Sequence, residues 1–242
     1  MPGSATAAIG GSVVAVAGLV VEVRGLRVAY GKVVVLDQVD LSASRGEIVA
    51  VTGVNGAGKS TLLSCLAGLR RPSGGQATVL GGPPRDTADF WRRVVFVADL
   101  PTWYPGLTAR EHLDLVRLAN APADGWCMDP ADLIDAFGLA SRADAVPLTL
   151  SSGQRQRLSL AAALARPSDL LLLDEPEQSL DASFRGELAR LLREAYAPSG
   201  GTVIMATHDD SFATVAGARR VVIEDGTVAP AGPGPVVAGG AA

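Results

Sequence analysis

The sequence predicts an α/β fold in which a mainly parallel sheet carries a smaller antiparallel β-subdomain on its flank and an inserted helical subdomain. Three observations predict it. Four nearly all-apolar runs, 47–53 (EIVAVTG), 93–99 (RVVFVAD), 169–175 (DLLLLDE) and 202–208 (TVIMATH), are separated by amphipathic stretches, the pattern of central strands covered on both faces. Two earlier segments, 19–31 (LVVEVRGLRVAYG) and 33–46 (VVVLDQVDLSASRG), alternate more and contain turn residues, as an antiparallel pair does. From about residue 107 to 146 the apolar spacing turns helical, as in TAREHLDLVRLA.

In chain order, residues 1–18 are small, uncharged and rich in Gly and Ala, and read as a flexible leader. One domain is expected over 19–228. Its helical part occupies about 100–150 and contains a helix capped at Thr108, with Glu111 three residues on to complete a capping box. Residues 229–242, again Ala, Gly and Pro, read as a flexible tail.

Composition narrows the function classes. The 242 residues carry a net charge of −4 with a pI near 5.2, and no dense run of Lys or Arg occurs, so nucleic acid is not an expected partner. Cys65 and Cys127 stand far apart without ligand spacing and are expected as reduced thiols. Mean hydropathy is positive at +0.27, yet no run of about 18 apolar residues free of charge suggests a membrane span. The apolar stretch 8–23 lacks a basic residue before it, because no Lys or Arg precedes Arg24, so a secretory signal is not expected.

The chemistry begins at 53–61, GVNGAGKST. Gly53 to Ser60 matches G-x-x-x-x-G-K-S, and it lies between an apolar run and a helical run, the context in which this pattern binds phosphate. Gly53, Asn55, Gly56, Ala57 and Gly58 offer backbone N–H groups with little side chain in the way. Lys59 is placed to reach the β- and γ-oxygens of a nucleotide, Ser60 to ligate Mg²⁺, and Thr61 adds a second hydroxyl. A phosphate loop alone leaves kinases, GTPases and transport ATPases open.

Downstream stand LSSGQRQRLSLAAALARPSDLLLLDEPEQSLD (150–181) and VIMATHDD (203–210). With these the chain resembles the nucleotide-binding subunit of an ATP-binding cassette (ABC) transporter, over about residues 19–227 and with five motifs in the family's order. The resemblance implies an ABC ATPase-like fold with a P-loop NTPase core, and ATP and Mg²⁺ as ligands. Asp174 would hold Mg²⁺ and Glu175 would polarise the attacking water. LSSGQ opens a helix whose N-terminus suits a γ-phosphate. A Ser-Ser-Gly cap taken alone serves structure as readily. The resemblance makes it the signature motif, with Ser151, Gly153 and Gln154 matching and Ser152 replacing a glycine. His208 would contact the γ-phosphate, Asp181 would belong to the loop that crosses the dimer interface, and Tyr30 would stack on adenine, although a Tyr ending a strand also serves packing. Where the family has Gln, this chain has Asp99, a shorter and charged candidate for the metal.

The implied activity is ATP hydrolysis that energises transport through separate integral-membrane permease subunits. The chain would act as a homodimer or as a heterodimer with another ABC ATPase subunit, in the cytoplasm and peripheral on the cytoplasmic face of the cell membrane. Contact with the permease is expected through the Asp99 loop and the aromatics Trp103 and Tyr104, which fit a subdomain core equally well. Export is the expected direction, since no C-terminal regulatory domain is visible. The alternatives are a soluble ABC ATPase in cofactor assembly and a regulatory cassette in an asymmetric pair.

Overall fold

The computed structural model describes residues 18–98, 103–120 and 125–228. The leader, apart from Gly18, the tail and Asp99 lie outside them.

The chain opens with a hairpin, β1 (Leu19–Tyr30) and β2 (Val33–Ser44), and continues to β3 (Ile48–Thr52), α1 (Lys59–Leu66) and β4 (Gly74–Val79). β1 is flanked on either side by β2 and β4 in an antiparallel three-stranded sheet. Alternate residues of the hairpin, such as Val21, Val23, Leu41 and Ala43, point inward and are buried, which is why these segments alternate in the sequence.

Next come α2 (Ala88–Arg93), β5 (Val94–Val97), α3 (Ala109–Ala119), α4 (Pro130–Ala136) and α5 (Ser152–Leu164). β6 (Leu170–Asp174), α6 (Ala182–Leu191), β7 (Thr202–Ala206), α7 (Asp210–Val215), β8 (Arg219–Glu224) and β9 (Thr227–Val228) complete the fold. The second sheet has the order β5-β6-β7-β3-β8-β9, parallel throughout except for the β8-β9 pair. All five residues of β3 and of β7 are buried, so their continuous apolar character follows from cover on both faces.

The helical stretch after β5 starts as its cap predicts. Thr108 Oγ1 accepts from the Glu111 N–H at 3.3 Å and Glu111 Oε2 accepts from the Thr108 N–H at 2.8 Å. Asp169, just before β6, accepts from Arg45 Nη1 of the turn between β2 and β3 at 3.0 Å and from Arg93 Nε, just before β5, at 2.7 Å, joining the starts of these strands.

Leu172 sits in the middle of β6 and is fully buried. Leu172→Ala should lower stability by about 2–5 kcal/mol, read as a fall in the urea midpoint with an unchanged m-value.

Candidate nucleotide-binding site

Register decides where the site forms. β6 and β7 pair so that Asp174 lies opposite Ala206, and β3 and β7 pair so that Val51 lies opposite Ala206. Three adjacent parallel strands therefore end level with one another. Their following residues, 52–58, 175–180 and 207–209, emerge at one edge, the carboxyl end of the sheet where α/β folds bind ligands.

The loop after β3 wraps tightly and delivers α1. Gly58, the N-cap of α1, has φ +103°, which favours glycine, and a Cβ there would sit 2.6 Å from Leu36 Cδ2 of β2 and force that side chain to shift. Lys59 is 5% exposed, and its ammonium donates to the carbonyls of Gly53 at 2.9 Å and Val54 at 3.1 Å. Those two bonds hold the lysine stem along the loop. Asn55 and Gly56 are exposed, Ala57 is buried, and Thr61 is half-buried in the first turn of α1.

The structure brings Ser60 and Asp174 together, the Ser60 hydroxyl donating to Asp174 Oδ1 at 3.0 Å. Two hard oxygen donors side by side, at the N-terminus of a helix that follows a phosphate loop, fit a magnesium ion shared with phosphates. One residue on, Glu175 takes φ +47°, a left-handed conformation uncommon for glutamate, while its N–H donates to Ala206 O at 2.9 Å. The bend turns its side chain out of the β6 line. Gln178 Nε2 donates to its Oε2 at 3.3 Å.

His208 stands across from it. Nδ1 lies 3.8 Å from Glu175 Oε1 and equally 3.8 Å from Oε1 of Glu177, a residue the sequence reading did not single out. The imidazole is largely exposed whereas Glu177 is 2% exposed. Burial pushes the Glu177 carboxyl upward, opposed by a hydrogen bond from the Thr207 hydroxyl to Oε1. Thr207 Oγ1 accepts in turn from the Asp209 N–H at 3.0 Å.

The Leu150–Gln154 segment forms the start of α5 as a reciprocal cap. Ser151 Oγ accepts from the Gln154 N–H at 3.2 Å, and Gln154 Oε1 accepts from the Ser151 N–H at 3.0 Å. Ser151 and Ser152 are exposed. A Cβ on Gly153 would come within 2.7 Å of Ser179 O, so the turn after β6 packs against the helix start. Asp181 is engaged within the chain: it N-caps α6 through Phe184 N at 3.0 Å and pairs with Arg157 of α5. Tyr30 ends β1 with half its surface exposed, and the Arg70 guanidinium carbon lies 3.8 Å from its ring centroid.

A family model described as "ABC transporter" matches residues 36–178, the span holding the phosphate loop, the α5 cap and the β6 carboxylates. The chain belongs to the ABC transporter family. It is an ATP-binding ATPase subunit of such a transporter. Among curated relatives, the aliphatic sulfonates import ATP-binding protein SsuB of Pseudomonas entomophila (strain L48) is 40% identical over 203 residues, covering 84% of this chain and 72% of the relative. The protein of the same name from Mycobacterium sp. (strain MCS) is 43% identical over 205 residues, covering 84% and 79%. Among solved structures, an ATP-binding subunit of an ABC transporter superposes with a TM-score of 0.75 at 28% identity, covering 86% of this chain and 88% of that one. A dimeric ATP-binding cassette in a post-hydrolysis state, bound to ADP and Pi, gives 0.72 at 26% identity, with 86% and 96% covered.

In this ABC cassette the residue behind His208 has a shifted acidity. The Ser211 hydroxyl, against the effect of burial, and then the Phe212 N–H and Arg185 lower the Asp209 carboxyl from 3.8 to about 2. A depressed folded value means that its stabilising contribution is complete above the unfolded value and is lost as pH falls through the folded one. Asp209→Asn should therefore flatten the loss of thermal stability between about pH 4 and pH 2, compared by melting curves of both proteins across that range.

Proposed function

We propose that the chain hydrolyses ATP to drive import through separate membrane permease subunits, as one half of a two-cassette sandwich. The observation that carries this reading is the Ser60–Asp174 contact, with Glu175 and His208 on the adjoining strand ends. A triphosphate in the loop would meet the backbone N–H groups of 53–58 and Asn55, and Lys59 would leave its two carbonyls for the β- and γ-oxygens. Magnesium, held by Ser60 and Asp174, neutralises phosphate charge when bound; Asp99 is assigned to the same cation through the loop after β5. Glu175 orients and deprotonates the attacking water. His208 touches the terminal phosphate and Tyr30 stacks on the base.

Completion of each site is assigned to the opposite cassette. The exposed Ser151, with Gly153 and Gln154, begins a helix of 13 residues whose positive end suits a γ-phosphate. The dimeric neighbour with ADP and Pi supports such a pairing. Closure on ATP and opening after hydrolysis would then move the attached permease.

The names of the relatives favour import, against the export expected from the sequence alone. Choice of cargo belongs to the permease in this reading. No helix among the described residues is long and apolar enough to cross a membrane, so the reading places the membrane passage in other chains, with this one on the cytoplasmic face. A groove beside β5, of about 480 Å³, is the assigned permease seat; Trp91, Phe96, Tyr104, Leu115 and Val116 line it. Tyr104 is largely exposed there, while Trp103 packs edge-on against His112 at 5.3 Å.

Glu175→Gln should retain ATP binding while turnover falls by at least about 100-fold, and turnover equal to the wild type would reject Glu175 as the residue acting on water. For direction, proteoliposomes holding the chain with its permease should accumulate cargo on the cassette's side when ATP is supplied. Depletion from that side would reject import.

A further inference from the structure

Glu177 is an expensive residue for packing alone. Its carboxylate is 2% exposed, and Oε2 has no hydrogen-bond partner among the described residues. Burying an acid with one unsatisfied oxygen costs several kcal/mol by the usual order of magnitude, and an apolar side chain of similar volume would avoid that cost. A cost of this kind points to a use for the acid, and the oxygen that other polar groups approach is Oε1.

The surroundings name the partner. Thr207 donates to Oε1, and the Asp209 N–H donates to Thr207, so a short chain of hydrogen bonds fixes where Oε1 lies. His208 Nδ1 is 3.8 Å from that oxygen, beyond hydrogen-bond length in this structure, and the imidazole is largely exposed. Glu175 Oε1, equally 3.8 Å away, competes for the same nitrogen. Glu175 is also the residue assigned to water, and a carboxylate occupied by an imidazole is less able to take a proton from water.

We propose that Glu177 is the positioning residue for His208: its buried carboxylate, held by the Thr207 hydroxyl, accepts the Nδ1 proton, turns Nε2 toward the reacting phosphate and leaves Glu175 to the water. A second shell of this kind fixes both the tautomer and the ring orientation of a functional histidine. Charged neighbours of the pair are Glu175 on the same turn and Asp209 beyond His208. Asp209 is taken up by its own helix cap and Arg185. The inference rests on the proposed role of His208 at the phosphate.

The chain has only two histidines, which makes the test direct. His112 serves as internal reference: Nδ1 lies 2.8 Å from Thr108 O, and Nε2 accepts from the Tyr104 N–H at 2.9 Å, so its proton sits on Nδ1. Long-range ¹H–¹⁵N correlation spectra of the full chain, at about pH 8.5 where an ordinary imidazole is neutral, should show His208 with its proton mainly on Nδ1. In Glu177→Leu the proton should move to Nε2 with the His112 signals unchanged. ATPase assays of the same variant should show kcat reduced about tenfold with KM for ATP within about twofold. An unchanged His208 tautomer, or equal changes in kcat and KM, overturns the proposal. If the leucine variant does not fold, Glu177→Met, an unbranched side chain of similar length with no oxygen acceptor, gives the same readout; an unchanged tautomer there overturns the proposal equally. The spectra need no turnover, so a chain inactive without its permease still tests Glu177, and Glu175→Gln reports separately on hydrolysis.

Discussion

The level ending of β3, β7 and β6 is the constraint on which the site depends. Along their length these strands satisfy their backbone groups with one another and bury their side chains on both faces, leaving no room for a polar ligand. Only where the pairing stops does the chain have free backbone groups and outward-turning side chains to offer. Because Val51, Ala206 and Asp174 share a register line, a serine on one connection and a carboxylate on another come within hydrogen-bond distance. A slip of one residue in either pairing would invert the faces of a strand and separate them.

The small antiparallel sheet contributes to the same site from outside. Leu36 of β2 lies against Gly58 of the phosphate loop, and the Gly226 carbonyl accepts from the Asp37 N–H at 2.8 Å, so the strand that touches the loop is itself tied to the β8-β9 turn. The buried Lys59 ammonium is tolerable in this setting because two carbonyls of the loop solvate it. Across the cleft, polar groups lie in a graded arrangement: Asp174 near the loop, Glu175 on a strained turn, His208 open to solvent and Glu177 beneath it.

Much of this was legible in the sequence for physical reasons. Unbroken apolar runs announced β3, β5, β6 and β7, and the Thr108–Glu111 spacing announced the start of α3. Other elements carried weaker signals. β4 opens with two glycines and is only half-buried, and β8 begins with Arg219 and Arg220, both exposed; neither shows the apolar run that marks a central strand. Glu177 was invisible because nothing local says that a glutamate between Pro176 and Gln178 is buried. Its meaning comes from Thr207, 30 residues away in sequence, and from His208 beside it, both just beyond the end of β7. The cap at Ser151 is local and readable from the sequence, whereas the pairing of Asp181 with Arg157 of α5 emerges only in the fold. Transport direction was not legible, since the motifs of a nucleotide-binding cassette do not record which way a separate permease faces.

The left-handed torsion of Glu175 sets fold and chemistry against each other at one position. Glycine would relax that backbone, so a drifting lineage gains robustness by the same exchange that removes its acid. A carboxyl group on such an unfavourable bend is a cost to the fold, and under the proposed role of Glu175, relaxed selection on hydrolysis would be expected to erode this residue early.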